Sequence, residues 1–197
     1  MTEQAVHGKG SHEIRWHGRG GQGAVTSAKL MAKAAFESGF VGVTSAPSFG
    51  AERRGAPVTA STRLGDEPIR VYSQVTSPDI VVVLDESLLE VGGASKGLRP
   101  GGTVVVNTTR SPEELNLPAG TRVFAADVTG AAEAAGVVVG GVPMVSAAIL
   151  GSVAKATGLI TRESIDAAIA DGFSASAAAK NFEAAKIAFE CTRGATV

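Results

Sequence analysis

A six-residue run, Gly18, Arg19, Gly20, Gly21, Gln22 and Gly23, separates two segments of different period and constrains the chain more than any other feature. Before it, residues 13–17 alternate, with Ile14 and Trp16 apolar between polar neighbours, the period of a strand. After it, Ala24, Val25, Ala28, Leu30, Met31, Ala34, Ala35 and Phe36 recur at three- and four-residue spacing until Gly39, the period of a helix. Strand, glycine turn and helix in this order satisfy the G-x-G-x-x-G spacing in the context that gives it meaning. Glycine permits the tight turn and a close ligand, and the helix start offers bare amides to an anion. Two readings stand: a phosphate cradle over residues 18–23, or a strand-to-helix turn that binds nothing. Arg19 adds a guanidinium that can grip a phosphate or carboxylate, or form a surface or subunit-contact ion pair. A dinucleotide site also wants a carboxylate about 20 residues on, at the end of the second strand. Residues 41–46 supply none and Glu37 falls within the helix, which disfavours NAD. The triphosphate-binding G-x-x-x-x-G-K-[ST] loop is absent, so nucleotide hydrolysis has no support.

The rest of the chain reads as alternating strands and helices. Residues 41–46 form a second strand, and 47–57 an irregular loop. Residues 58–64 and 69–72 are expected to pair around a turn at 65–68 as an inserted antiparallel hairpin. The apolar runs 79–84, 103–107 and 121–125 are strands covered on both faces. Short helices are expected at 86–91 and 128–135, the latter capped by Asp127, and longer ones at 143–157, 162–170 (capped by Thr161) and 174–191. The expected fold is α/β, a Rossmann-like three-layer sandwich. Its mostly parallel, mixed sheet carries the hairpin and the glycine loop at its carboxyl edge, with the C-terminal helices over one face.

Composition then removes whole classes of function. Eighteen Lys and Arg against 19 Asp and Glu give a net charge of −1, too little field to draw in nucleic acid or anionic lipid. With 44% hydrophobic residues the chain can build one sizeable core, expected over 13–197, with 1–12 as an N-terminal tail. That tail lacks the apolar stretch of a secretory signal, so a cytoplasmic protein is expected. The uncharged stretch 134–154 is broken by Gly136, Gly140, Gly141, Pro143 and Gly151, which fits buried strand or loop and helix better than a membrane span. Cys191 is the only cysteine, so any thiolate-held metal centre must belong to another chain. His7, His12 and His17 all precede the glycine run and suggest no nucleophilic triad; His17 beside the loop is either a ligand contact or a structural residue. Asp79, Asp85, Glu86 and Asp127 lie near element ends without forming an acid–base pair, so no catalytic residue is assigned.

The loop at 45–57 holds Ser48, Phe49, Glu52, Arg53 and Arg54. Two adjacent arginines after an acid, beside an aromatic ring, make either a docking surface with Glu52 orienting a guanidinium, or a solvated charged loop.

Three segments in order carry a family resemblance: residues 13–26 with the glycine run, residues 47–57 with Pro-Ser-Phe-Gly-Ala-Glu-Arg-Arg-Gly-Ala-Pro, and residues 77–85 with Ser-Pro-Asp-Ile-Val-Val-Val-Leu-Asp. Together they resemble the gamma subunit of pyruvate and related 2-oxoacid:ferredoxin oxidoreductases, over almost the whole chain after residue 12. The resemblance implies an enzyme complex that oxidatively decarboxylates a 2-oxoacid to an acyl-coenzyme A and passes electrons to ferredoxin. Thiamine diphosphate, Mg and [4Fe–4S] clusters are then expected only in the alpha, beta and delta-type partner subunits. This chain is expected to contribute coenzyme A binding, through Gly18 to Gly23, and assembly, with Ser48, Phe49, Glu52, Arg53 and Arg54 in a subunit-contact or active-site-facing loop. The form of that loop favours pyruvate, with an aryl or branched-chain 2-oxoacid left open. The alternatives are a free-standing dinucleotide-binding oxidoreductase and a purely structural assembly subunit. One departure from the family pattern is that Pro143 stands where an asparagine commonly leads a helix, so no ligand-binding asparagine carries over.

Overall fold

In the computed structural model, which describes residues 10–47, 53–71 and 73–197, the Ile14 and Trp16 alternation becomes β1 (His12–Arg19). Both side chains are fully buried in the core beneath helix α1 (Ala24–Glu37). Alternation turns Arg15 and His17 to the opposite face. The chain continues through β2 (Gly42–Pro47), β3 (Pro57–Gly65), β4 (Ile80–Val83), α2 (Ser87–Glu90) and β5 (Thr103–Asn107). A 3₁₀ turn at Pro112–Glu114 leads into β6 (Arg122–Ala126), α3 (Val128–Ala134), β7 (Val138–Val139) and β8 (Val142–Pro143). Three helices, α4 (Ile149–Thr157), α5 (Arg162–Gly172) and α6 (Ala175–Cys191), precede the last strand, β9 (Arg193–Thr196).

The main sheet has seven strands in the order β2-β3-β1-β4-β5-β6-β9. β1, β4, β5 and β6 form parallel ladders; β3 is antiparallel to both β1 and β2, and β9 to β6. The unbroken valine runs of β4 and β5 follow from cover on both faces: Val82 and Val105 join the core with the helices, while Val81, Val83, Val104 and Val106 pack with Leu88 and Leu115 on the other side. The second cover is thin, built from α2, the 3₁₀ turn and connecting loops. Asp127 caps α3 by accepting from Gly130 N at 2.8 Å, and Thr161 caps α5 through Ser164 N, as their positions in the sequence suggested.

Two local expectations are corrected, and one further strand joins the sheet. Ile69 and its neighbours do not return as a strand: the antiparallel insertion is β2 with β3, and Tyr72 lies outside the described residues. Pro68 lacks an amide for a ladder, and the 67–69 segment instead folds over Gly42, where an added Cβ would sit 1.9 Å from Glu67 O and 2.9 Å from Ile69 Cγ1. The helix expected from Pro143 starts at Ile149, because Gly140 and Gly141, both with positive φ, make a hairpin turn between β7 and β8. β9 was not foreseen. Its four residues, Arg-Gly-Ala-Thr, carry no strand pattern, and they pair because Gly194 lets the backbone lie against the Phe124 ring. The uncharged stretch 134–154 is divided between α3, the hairpin and the first residues of α4, and no helix among the described residues is long and apolar enough to cross a membrane.

Candidate functional site

The chain leaves β1 for α1 on one face of the sheet and leaves β4 for α2 on the other, so the carboxyl ends of these neighbouring parallel strands flank the point where the connections diverge. In open α/β sheets such a point forms the ligand crevice. Here it is occupied by the glycine loop and by Asp85, just beyond β4.

Within the loop, Arg19 N donates to Gln22 Oε1 at 2.7 Å and Gln22 N to Arg19 O at 2.9 Å. Gly23, left-handed at φ 87°, is the N-cap of α1 and supplies no side-chain cap to the first helical amides. Its missing Cβ is required, because one would stand 2.7 Å from Ser146 Cβ, where Ser27 Oγ also donates to Ser146 O at 2.8 Å. Gly21 is exposed, at φ 97°, with no atom within 4 Å of where a Cβ would be. The surface over the helix start is therefore open, uncapped and free of first-turn acids.

The structure brings the glycine loop and the arginine-bearing loop together. Gly20 N donates to Ala56 O at 2.8 Å, Gly55 N donates to Gly20 O at 3.0 Å, and Gly20 bridges Arg54 in parallel. Arg53 and Arg54 are exposed and have no ion-pair partner among the described residues. Ser48, Phe49 and Glu52 lie outside the described residues.

Arg19 forms its ion pair within the chain. Its Nε donates to Asp85 Oδ2 at 2.9 Å, one terminal nitrogen to Gly55 O at 3.1 Å and the other to Ser87 Oγ at 2.6 Å. Gln22 Nε2 reaches the same Asp85 Oδ2 at 3.1 Å, while Ser87 N and Oγ donate to Oδ1. Partial burial alone would raise the Asp85 carboxyl, but the hydrogen bonds from Ser87 and Gln22 and the charge of Arg19 outweigh it and hold it below its ordinary value. A neighbouring set ties Glu86 to Thr108 and Arg110, and Asn107 joins Leu84 O, Thr129 Oγ1 and the first amides of α3. Sequence reasoning named Asp85 without assigning it. The available signal was its place immediately after a buried parallel strand, where crevice residues sit.

His17 is structural. It is 8% exposed and accepts from Arg15 Nε at 2.9 Å, while the Arg15 guanidinium also donates to the carbonyls of Ala94 and Lys96. Burial first, and then the Arg15 charge, push its pKa down to about 4. Below pH 6.5 the unfolded chain takes up a proton here that the folded chain refuses, so stability falls between pH 6.5 and 4. The expected loss between pH 7 and pH 4.5 is about 2 kcal/mol, measurable by urea denaturation at the two values, and His17→Gln should flatten the difference. An equal slope in the variant would show that other groups drive it.

The described residues contain no group of three or more His, Cys, Asp or Glu suited to a metal, and the chain's one cysteine cannot supply the four thiolates of an iron–sulfur cluster. The residues present do not fit those centres. A concave region of about 260 Å³ at the amino ends of the strands and a groove of about 630 Å³ between α4, α5 and α6 both lie away from the glycine loop.

Fold and site thus define an α/β domain with a glycine-rich helix entry and an arginine-bearing loop joined to it. The chain belongs to the pyruvate ferredoxin/flavodoxin oxidoreductase family, whose model matches residues 13–191, and within it to the gamma, or PorC, type. The pyruvate/ketoisovalerate oxidoreductases common subunit gamma of Thermococcus kodakarensis is 50% identical, over 91% of this chain and 96% of that protein. The crystal structure of the pyruvate oxidoreductase subunit PORC from Thermotoga maritima superposes with a TM-score of 0.80 at 31% identity, covering 95% of this chain and 99% of that one. The structure of 2-oxoglutarate:ferredoxin oxidoreductase from Magnetococcus marinus, with 2-oxoglutarate, coenzyme A and succinyl-CoA bound, shares the fold at 20% identity and TM-score 0.69, covering 91% of this chain and 30% of that one.

Proposed function

We propose that this chain serves a cytoplasmic complex that converts a 2-oxoacid, pyruvate first among them, to an acyl-coenzyme A with ferredoxin as electron acceptor. Its own part is to hold the phosphate-bearing end of coenzyme A and to help assemble alpha, beta and delta-type partners. One observation carries this reading: the uncapped start of α1 is joined through Gly20 to the segment of two exposed arginines that have no ion-pair partner among the described residues. Gly21 and Gly23 would present backbone amides, and Arg53 and Arg54 charge, to a polyanionic ligand. When bound, coenzyme A supplies the thiol that accepts the acyl group. The site is open to solvent, which suits a ligand whose reactive end must reach a centre on another subunit. Glycine spacing alone would also allow a dinucleotide, but β2 carries no carboxylate for a ribose and the crevice is filled by Arg19 and Asp85.

The relative from Thermococcus kodakarensis is named a common subunit of pyruvate and ketoisovalerate oxidoreductases, which supports placing the choice of oxoacid in the partner chains. Arg53→Ala/Arg54→Ala in the assembled complex is expected to raise the coenzyme A KM roughly tenfold, as loss of one charge-assisted bond of about 1.5 kcal/mol would do, with the oxoacid KM within about twofold. A coenzyme A KM unchanged within about twofold would leave the chain a scaffold.

A further inference from the structure

We infer that Asp85 is a positioning residue for the coenzyme A site: without facing the ligand, it sets the separation and orientation of the glycine loop and the arginine-bearing loop. The inference rests on the coenzyme A reading above. Four donors converge on this one carboxylate, Arg19 Nε and Gln22 Nε2 on one oxygen and Ser87 N and Oγ on the other. Only a group that accepts at both oxygens can satisfy them all. An asparagine would turn its amide hydrogens onto two of these donors whichever way it was placed. The carboxylate stands on a rigid support, because Leu84 N donates to His17 O at 2.8 Å and locks the end of β4 to β1 in the middle of the sheet.

From that anchor the connection to the ligand-facing groups is short. Asp85 fixes the Arg19 guanidinium, which donates to Gly55 O at 3.1 Å in the loop that carries Arg53 and Arg54. Asp85 also fixes the Gln22 side chain, whose Oε1 accepts from Arg19 N and so shapes the glycine turn from inside. Gly20 and Gly55 then meet by backbone bonds that need both loops in place. Positioning of this kind acts on binding through preorganisation, so its removal should weaken ligand affinity more than turnover at saturation.

The test uses the assembled complex with Asp85→Asn, read by amide hydrogen exchange at Gly20 and Gly55 and by steady-state kinetics, beside Arg53→Ala/Arg54→Ala. Exchange at both amides is expected to quicken at least about tenfold, and the coenzyme A KM to rise about fivefold or more with kcat within about twofold. Unchanged exchange overturns the inference. So does quickened exchange with an unchanged coenzyme A KM while the arginine variant raises it. If neither variant moves the coenzyme A KM, it is the coenzyme A reading that fails, and the positioning role falls with it. Should Asp85→Asn fail to assemble, Gln22→Leu, which removes one donor and the bond to Arg19 N, is judged by the same measurements and the same thresholds.

Discussion

Gly20→Ala is expected to separate the two loops of the site and raise the coenzyme A KM of the complex by about tenfold or more. A Cβ on Gly20 would stand 2.2 Å from Arg53 O and 3.0 Å from its carbonyl carbon, and both are backbone atoms that cannot swing aside. Relief requires the 53–56 segment to move, which breaks Gly20 N to Ala56 O and Gly55 N to Gly20 O together. The charges of Arg53 and Arg54 then no longer flank the start of α1. Overpacking of this sort costs about 1–3 kcal/mol of stability, small enough for the chain to fold and be assayed. By contrast, Gly21→Ala meets no atom within 4 Å, and its positive φ makes the cost one of backbone strain alone. Kinetics on the two variants separate collision from strain: a Gly20→Ala complex with wild-type affinity for coenzyme A would show that contact between the loops does not matter for the ligand.

Trp16→Ala should be the most damaging single change to the fold, about 3–5 kcal/mol. The indole is fully buried and lies where β1, β3 and α1 meet. Its Nε1 donates to Thr62 Oγ1 at 3.0 Å, and that hydroxyl donates on to Ala28 O at 3.0 Å, so one polar chain links two strands to the helix. Truncation removes the packing and the first bond at once, leaving a cavity beneath the helix that begins the glycine site. At roughly 2–4 °C per kcal/mol for a domain of this size, the melting temperature should drop by about 10 °C. Trp16→Phe retains most of the ring volume and should lose less than half as much. A melting temperature for Trp16→Ala within about 2 °C of the parent would contradict the central place given to this side chain.

The regular elements were legible because their signals are local. Period two before Gly18 and helical spacing after it place β1 and α1, and the valine runs place β4 and β5, since each pattern reports which faces meet the core. Caps at Asp127 and Thr161 were legible for the same reason, as the bond closes within three residues. The failures have the opposite character. The 69–72 segment reads as a strand in isolation, but the place of Ile69 is set by Gly42 and Pro68; β9 exists only because β6 offers an unpaired edge and Gly194 fits against Phe124.

The same division runs through the site. Sequence alone determined that a glycine turn would stand at the entry of a helix, that two arginines would lie on a later loop, and that no cluster of thiolates could form. These follow from backbone freedom, spacing and residue count. Tertiary structure alone decided that the two loops touch through Gly20, and that Arg19 finds its ion-pair partner, Asp85, within the chain and not in a neighbouring subunit. A guanidinium serves either role equally well in one dimension. Which it takes depends on a carboxylate 66 residues away, brought beside it by the parallel pairing of β1 with β4.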